Sequence, residues 1–471
     1  MGPFLVSFVL WWSSVVAVPR NFVVNPAVAF KGTRLELKRT NLAVARERAI
    51  LVGAYPESSD AARESLAELR RLADTAGANI VGELVQHRAS ADPATFLGKG
   101  KVEELHALCR ELKADVIIMD VDLSPAQVRN LEKATDSKVI DRSEMILDIF
   151  AQGARTAEAG DQVELAQLEY AFPRLKRMWT HLARMEGGIG MRGPGERQLE
   201  TDRRLVRKRI QALKRRIQVN LDRRAREVGA RFDEITACLV GYTNAGKSTL
   251  MNALTGAGVL AEDKLFSTLD TRTRACPLGE GRRILLSDTV GFIRNLPHHL
   301  VASFTATLEE ARHADLLLHV VDASSPDAER QMAAVMDVLK QLDCAEHSIL
   351  TVYNKMDLVV DESHLPLLRR RFGDGVALSA RTGEGLDQLR KRIHEFLDRN
   401  SLTVTVEFSS GDGRIQAWLA EHADILSSDY GDETARLRVR MPPQCLGVVR
   451  KLGAKVSRLR PPAASELMPR E

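Results

Sequence analysis

The residues at 241–249, Gly241-Tyr242-Thr243-Asn244-Ala245-Gly246-Lys247-Ser248-Thr249, have the types and spacing that bind phosphate. They fit the pattern G-x-x-x-x-G-K-[ST] without a mismatch. Glycines in such a loop let consecutive backbone N–H groups wrap a phosphate chain. An apolar run, Ala237-Cys238-Leu239-Val240, precedes the loop and reads as a buried strand. Leu250-Met251-Asn252-Ala253-Leu254 follows it and reads as a helix start, whose N-terminal dipole favours an anion. Lys247 can neutralise the outer phosphates, and the Ser248 hydroxyl can coordinate Mg²⁺.

The segments downstream extend this chemistry. Leu265-Phe266-Ser267-Thr268-Leu269-Asp270 lies where a switch segment should offer a second hydroxyl to Mg²⁺; Thr268 is the first choice, with Thr271 and Thr273 as rivals. Residues 283–287 read as a strand ending in Asp288-Thr289-Val290-Gly291. The Asp288 carboxylate can hold a water of the Mg²⁺ shell, and the Gly291 N–H can bond a γ-phosphate. Residues 316–322 read as another strand. Residues 351–353 lead into Asn354-Lys355-Met356-Asp357, whose Asp357 carboxylate can accept both N1–H and N2–H₂ of guanine. Adenine offers neither donor, so the tetrad argues for GTP over ATP. Residues 376–378 deliver Ser379-Ala380-Arg381, whose backbone can meet the guanine O6. Each segment lies at the carboxyl end of an expected strand, where open α/β sheets bind their ligands.

The catalytic residues are less conventional. A glutamine after the D-x-x-G glycine orients the attacking water in GTPases of the Ras kind. Phe292 stands there and cannot do that. Either intrinsic turnover is low or another group positions the water. Lys247 and Asn244 are the candidate catalytic residues. Asn244 has two open readings: it helps hold a K⁺ near the phosphates, as an Asn does there in related GTPases, or it only tightens the loop. A bound partner could supply the rest.

At 471 residues the chain has room for two to four domains. Charged residues at 28% and apolar residues at 44% are ordinary for a globular protein, and a net charge of +4 sets up no global field for nucleic acid. Five scattered cysteines, Cys109, Cys238, Cys276, Cys344 and Cys445, contain no C-x-x-C pair, which argues against a disulfide framework or zinc site and for a reducing, cytoplasmic compartment. Residues 4–18 are almost wholly apolar. No Lys or Arg precedes them and they are short for a membrane span, so export is the weakest reading. Peripheral membrane contact is second, and an upstream extension without functional weight is favoured.

Five regions are expected. Residues 1–47 form the apolar extension, poorly ordered. Residues 48–152 alternate strands (49–53, 79–85, 115–120, 138–141) with helices (61–76, 102–112, one opening at Ser124-Pro125), which means a small parallel α/β domain. Gly98-Lys99-Gly100-Lys101 reads as a solvated basic turn. Residues 153–232 form a helical hairpin: 163–182, with Pro173 expected to kink or break it, a glycine-rich loop at 187–196 carrying Arg192, and a long helix at 199–230. In the latter, Val206, Ile210, Leu213, Ile217 and Leu221 form a coiled-coil seam against 163–182, while the other faces carry an excess of Arg and Lys whose nearest acidic relief is Asp202 and Asp222. Such one-signed charge repels itself unless a polyanion balances it, which points to RNA. Residues 233–400 form the nucleotide domain. Residues 401–471 form a small α+β domain and tail, with strands at 403–408 and 434–440, a helix over 413–426 and a last helix. A monomer is expected.

These residues together resemble the HflX family of ribosome-associated GTPases. Beyond the nucleotide motifs, the resemblance rests on Phe96-Leu97-Gly98-Lys99-Gly100-Lys101-Val102-Glu103-Glu104-Leu105, Ile146-Leu147-Asp148-Ile149-Phe150-Ala151-Gln152, Val163-Glu164-Leu165-Ala166-Gln167-Leu168, the stretch 187–200, and Asp288-Thr289-Val290-Gly291-Phe292-Ile293-Arg294 with its apolar replacement of the glutamine. It covers about 48–400. Ala159-Gly160-Asp161, where a more basic approach is expected, and the apolar extension depart from it. The resemblance implies binding to the large ribosomal subunit, its rRNA and whole ribosomes, hydrolysis of GTP to GDP, and splitting or rescue of stalled ribosomes under stress. A GTP-dependent switch that recruits a protein partner, with no ribosomal role, is the alternative.

Overall fold

Strand and helix signals alternate from residue 48 onward, and they build three sheets in succession. The structure, a computed structural model, describes residues 47–55, 60–88, 90–175, 194–230, 235–256, 266, 272–279, 282–294, 305–344, 346–361, 363–443 and 445–458. Residues 1–46 of the expected extension, 176–182 of the expected first hairpin helix, 187–193 of the glycine-rich loop with Arg192, and Ser267, Thr268, Leu269, Asp270 and Thr271 lie outside them.

The first sheet is parallel, in the order β2-β1-β3-β4, and formed by β1 (Arg48–Tyr55), β2 (Asn79–His87), β3 (Val116–Met119) and β4 (Lys138–Ile140). Helices α1 (Asp60–Ala76), α2 (Lys99–Leu112), α3 (Pro125–Thr135) and α4 (Arg142–Gly153) cover its faces. Ser124 caps α3 in a capping box with Gln127, and Pro125 opens the helix, as expected. The basic turn does not stand: Gly98 is the N-cap and Lys99 to Lys101 are already the first turn of α2. Asp141 caps α4, which the hydrophobic pattern alone left undrawn because its face is buried on both sides.

Helices α5 (Ala157–Leu175) and α6 (Pro194–Ala230) make the hairpin. Thr156 caps α5, its Oγ1 accepting from the Ala159 N–H at 3.1 Å, so the helix starts six residues before the expected 163. Pro173 does not break α5, which continues to Leu175. The turn around it is anchored from outside: Tyr170 donates to Asp141 Oδ1 at 2.8 Å, and Arg174 bonds Asp141 Oδ2 at 2.9 Å while lying over the Tyr170 ring. Two such bonds to a buried carboxylate offset the one backbone bond that a proline removes. Helix α6 opens at Pro194, the first-turn position proline favours, rather than at 199.

The seam is as expected. Leu213 and Ile217 pack on Leu165 and Leu168, with Val206, Ile210 and Leu221 alongside. Charge on α6 is better balanced than the sequence suggests, because α5 supplies the acids: Glu164 pairs Arg209, Glu169 pairs Lys214 and Asp161 pairs Arg216. Asp161, the departure from the expected basic approach, is one of these partners. Half-exposed pairs of this kind contribute at most about 1 kcal/mol each; the apolar seam does more.

The second sheet runs β10-β9-β8-β5-β7-β6. It contains β5 (Thr236–Gly241), β6 (Arg272–Gly279), β7 (Arg282–Asp288), β8 (Leu316–Asp322), β9 (Ser348–Asn354) and β10 (Gly375–Ala377), with helices α7 (Lys247–Thr255), α8 (Thr305–His313), α9 (Ala328–Gln341), α10 (His364–Phe372) and α11 (Leu386–Arg399). Only β6 is antiparallel, an edge strand that tolerates Pro277 and that no periodicity announced. The third sheet is antiparallel, β12-β13-β11-β14, built by β11 (Leu402–Ser409), α12 (Gly413–His422), β12 (Asp424–Tyr430), β13 (Thr434–Met441), α13 (Cys445–Lys451) and β14 (Lys455–Arg458) in βαββαβ order. The expected helix over 413–426 ends at His422: Ala423 is extended, and Ile425 pairs Val439 across the sheet with a bulge before Ser427.

The first two sheets share a core. Phe150 meets Phe266 edge-on at 4.6 Å between ring centroids, and Tyr242, Phe292 and Ile293 join residues of α1, α4 and α5 in one cluster. No described helix is long and apolar enough to cross a membrane, and all five cysteines are buried free thiols. The seam gives a direct test. Leu213→Ala should cost about 2–5 kcal/mol by urea unfolding, whereas Val219→Ala, at a position 63% exposed on the same helix, should stay within about 0.5 kcal/mol. Equal effects would contradict the packing.

Candidate functional site

The 241–248 loop follows the end of β5 and closes where α7 begins. Gly246 adopts φ 91°, and a Cβ there would lie 2.3 Å from the Asn354 side-chain nitrogen, so only glycine fits. Asn244 has left-handed backbone, φ 61°, and an exposed side chain. The Thr243 hydroxyl oxygen is buried without a hydrogen bond. Lys247 is buried and its Nζ donates to Gly241 O at 3.2 Å and Tyr242 O at 2.9 Å. Burial lowers its pKa to about 8, although the Asp288 carboxylate works the other way. A desolvated ammonium of this kind gains from an arriving anion.

Asp288 at the end of β7 faces the loop, and Ser248 Oγ donates to its Oδ2 at 2.6 Å. A hydroxyl beside a carboxylate suits hydrated Mg²⁺, which takes few protein ligands and completes its shell from phosphates and water. No cluster of three or more His, Cys, Asp or Glu that could hold a metal occurs among the described residues. Of the threonines considered for the second hydroxyl, Thr273 lies within hydrogen-bond distance of Ser287 Oγ at 2.8 Å, and Thr268 and Thr271 lie outside the described residues.

After Asp288, side chains turn inward. Thr289 Oγ1 donates to Leu239 O at 2.7 Å and Val290 is buried, so both can face a nucleotide only through their backbone. Gly291 approaches the loop so closely that a Cβ would lie 2.7 Å from Thr243 Cα and 3.0 Å from Lys247 Nζ. Phe292 is 2% exposed. Its carbonyl accepts from the Thr243 N–H at 2.7 Å, and its own N–H donates to Gly241 O at 3.1 Å. The residue at the usual glutamine position is therefore a core residue stitching two loops together. Phe266 likewise buries its ring against Phe150, not toward the phosphate loop.

On the other side of the loop, Asn354 is buried at the end of β9. Its Nδ2 donates to Ala245 O at 2.8 Å and its Oδ1 accepts from the Ala380 N–H at 2.9 Å. The Ala380 amide, considered for the guanine O6, is thus committed to Asn354. Lys355 is left-handed, φ 62°, and pairs Asp322 at 2.7 Å. Met356 opens a 3-10 turn that presents Asp357. Ser379 Oγ donates to Asp357 Oδ1 at 2.7 Å, and Arg381 donates to Oδ2. The Ser379 bond, followed by the Arg381 charge, holds the Asp357 carboxyl below the usual range. The segments expected to form the site, 241–248, 288–291, 354–357 and 379–381, therefore meet at the carboxyl ends of the strands of the second sheet.

Sequence reasoning did not identify a second set of polar residues behind the loop. Tyr242 OH donates to Glu68 Oε2 at 2.6 Å and accepts from the Arg294 N–H at 2.9 Å. Glu68 is a single polar residue on an apolar helix face between Leu66 and Leu69, and spacing alone does not distinguish it from a solvated position. On the hairpin, Arg204, Lys208 and Arg215 have exposed side chains without an ion pair among the described residues. At about 100° per residue they fall on the face of α6 opposite Leu213.

Three family models match the chain: one described as GTP-binding GTPase N-terminal over residues 63–151, one as GTP-binding GTPase Middle Region over 153–231, and one as 50S ribosome-binding GTPase over 236–355. A GTPase HflX of Magnetococcus marinus is 47% identical over 86% of this chain and 94% of its own. The GTPase HflX of Escherichia coli K12 is 43% identical over 84% of this chain and 94% of its own. A crystal structure described as an SsGBP and GDP complex is 22% identical, covers 74% of this chain and 98% of its own, and has a TM-score of 0.44, too low an overlap to bear on the argument. Identity at this level across nearly the whole of both curated relatives means that the chain belongs to the HflX family of GTPases, which hydrolyse GTP.

Proposed function

We propose that this GTPase acts on the large ribosomal subunit and on whole ribosomes, which accelerate its turnover, and that it splits or rescues stalled ribosomes under stress. The observation that carries the reading is family membership, in which the model over 236–355 is described as a 50S ribosome-binding GTPase. The Arg204, Lys208 and Arg215 stripe supports it, because cations without an ion pair among the described residues, on the exposed face of a long helix, suit a sequence-independent array of rRNA phosphates.

In this reading the backbone of Gly241, Tyr242, Thr243, Asn244, Ala245 and Gly246 cradles the β- and γ-phosphates. Lys247 leaves its loop carbonyls for the phosphate oxygens. Ser248 would hold Mg²⁺, with Thr268 as a second protein hydroxyl and Asp288 bonding a water of the shell, and the ion would supply charge neutralisation for the phosphates. Gly291 gives its N–H to the γ-phosphate, with Thr289 and Val290 fixing its approach. Phe266, Ser267, Leu269 and Asp270 are further proposed nucleotide contacts, on their place in the sequence. Asn354 locks the loops, Lys355 and Met356 carry the base shelf, and Asp357 reads guanine N1–H and N2–H₂ beside Ser379, Ala380 and Arg381. Asn244, whose side chain is exposed, would help hold a K⁺ at the phosphates. Phe292 contributes no water-positioning group, so the free protein should turn over slowly and the ribosome should supply what is missing.

Two measurements check this. GTP turnover should rise at least tenfold on adding purified large subunits. The rise should shrink with salt and in the triple variant Arg204→Glu, Lys208→Glu, Arg215→Glu; turnover indifferent to large subunits would refute the ribosomal role. Asp357→Asn should shift preference from guanosine toward xanthosine triphosphate, because an amide can donate to the xanthine O2 where a carboxylate cannot. Retained guanosine preference in competition binding would remove Asp357 from the base site.

A further inference from the structure

Behind the phosphate loop the N-terminal sheet and the nucleotide sheet are joined by a continuous buried chain of polar groups. At its far end, Asp120 follows the last residue of β3 and accepts from Tyr55 OH at 2.6 Å and Ser65 Oγ at 2.5 Å. Its other oxygen accepts from Arg142 at 2.6 Å. Arg142, the first residue of α4, also donates to Glu68 Oε1. Glu68 Oε2 accepts from Tyr242 OH at 2.6 Å. Asp120, Arg142, Glu68 and Tyr242 are each no more than 5% exposed.

The chain ends on the backbone of Arg294, three residues past Gly291. The Arg294 N–H donates to Tyr242 OH at 2.9 Å, and the Arg294 carbonyl accepts from Arg142 at 3.3 Å. One residue of the segment after the D-x-x-G motif is thus held at its amide by the phosphate loop's own tyrosine. At its carbonyl it is held by a guanidinium of the N-terminal unit. The Arg294 side chain faces the same unit, 3.9 Å from Glu64.

Two carboxylates and one guanidinium, buried together, are a poor way to gain stability, since desolvation roughly cancels the attraction between them. Such groups do fix a register, because each bond has a direction and a length. Here the register being fixed is that of the segment on which Gly291 rides. Gly291 already sits so close to Thr243 and Lys247 that a Cβ would not fit. Displacing a reacting geometry by about 1 Å can cost on the order of 100-fold in rate.

We propose that Glu68 and Tyr242 are positioning residues for hydrolysis: through Arg142 and the Arg294 peptide, the N-terminal unit sets where Gly291 meets the γ-phosphate. This rests on GTP hydrolysis at the 241–248 loop and not on any ribosomal role. A partner that draws the N-terminal unit away from the nucleotide sheet breaks the Arg142 and Glu68 contacts first, and so changes turnover without touching the nucleotide.

The test is the intrinsic turnover of the full chain without ribosomes, so its outcome is independent of the ribosomal reading. Tyr242→Phe removes the hydroxyl and keeps the packing, while Glu68→Gln keeps the shape and removes the charge. Each should lower kcat at least fivefold while GTP affinity stays within twofold. The double variant should be no slower than the worse single one, because both cut the same relay. Amide hydrogen exchange at Arg294 should quicken in both single variants. Unchanged kcat, effects that multiply in the double variant, or Arg294 exchange that quickens only in Tyr242→Phe would each overturn the proposal.

Discussion

The carboxamide of Asn354 is the interaction on which the nucleotide site depends. One buried side chain donates to the phosphate loop at Ala245 and accepts from the 379–381 loop at Ala380. Two loops more than a hundred residues apart in sequence therefore move as one body. An unsatisfied partner on either side would cost about 1–3 kcal/mol, so the pair is held firmly. The absence of a Cβ on Gly246 is a consequence of that bond, since the amide occupies the space. The spacing between the 241–248 loop and the 379–381 loop follows from it.

On the opposite flank the constraint is electrostatic. Phe292 has become a core residue whose backbone ties the loop at Gly241 and Thr243 to the segment after Asp288. With the glutamine's place taken by packing, the catalytic geometry depends on what holds that segment from behind. What lies behind is the N-terminal unit, through Phe150 against Phe266 and the Glu68 and Arg142 contacts. The hairpin is anchored in turn to the N-terminal unit at Asp141, whose carboxyl is raised by burial although Arg174 pulls it down. Hairpin, N-terminal unit and the segment after Asp288 are thus mechanically continuous, an arrangement suited to reporting an event on a distant surface.

Much of this was legible in sequence. The phosphate loop, the Asp288, Asn354 and Ser379 segments and the seam of α6 each carry a pattern with a mechanism, and short apolar runs located their strands. The start of α3 at Ser124 and Pro125 was equally plain. Thr156 was not, because a helix that begins Ala-Glu-Ala-Gly shows no apolar period in its first turn. Strand β6 carries arginines and a proline and exists only because β7 offers it an edge. The helix expected over 413–426 stopped early because Ile425 had a partner in Val439. The acids of α5 that pair three cations of α6, and the relay from Asp120 to Arg294, are contacts between residues far apart in the chain. Local spacing carries no record of such pairings, which arise only when two surfaces meet.

The central claim, a GTP-dependent switch read by the ribosome, is tested most directly by co-sedimentation. The full chain, loaded with a non-hydrolysable GTP analogue or with GDP, would be spun with purified large subunits through a sucrose cushion at moderate salt. The account predicts that the GTP-analogue form pellets with the subunits and that the GDP form stays largely in the supernatant. Equal pelleting of both forms, or of neither, would contradict it.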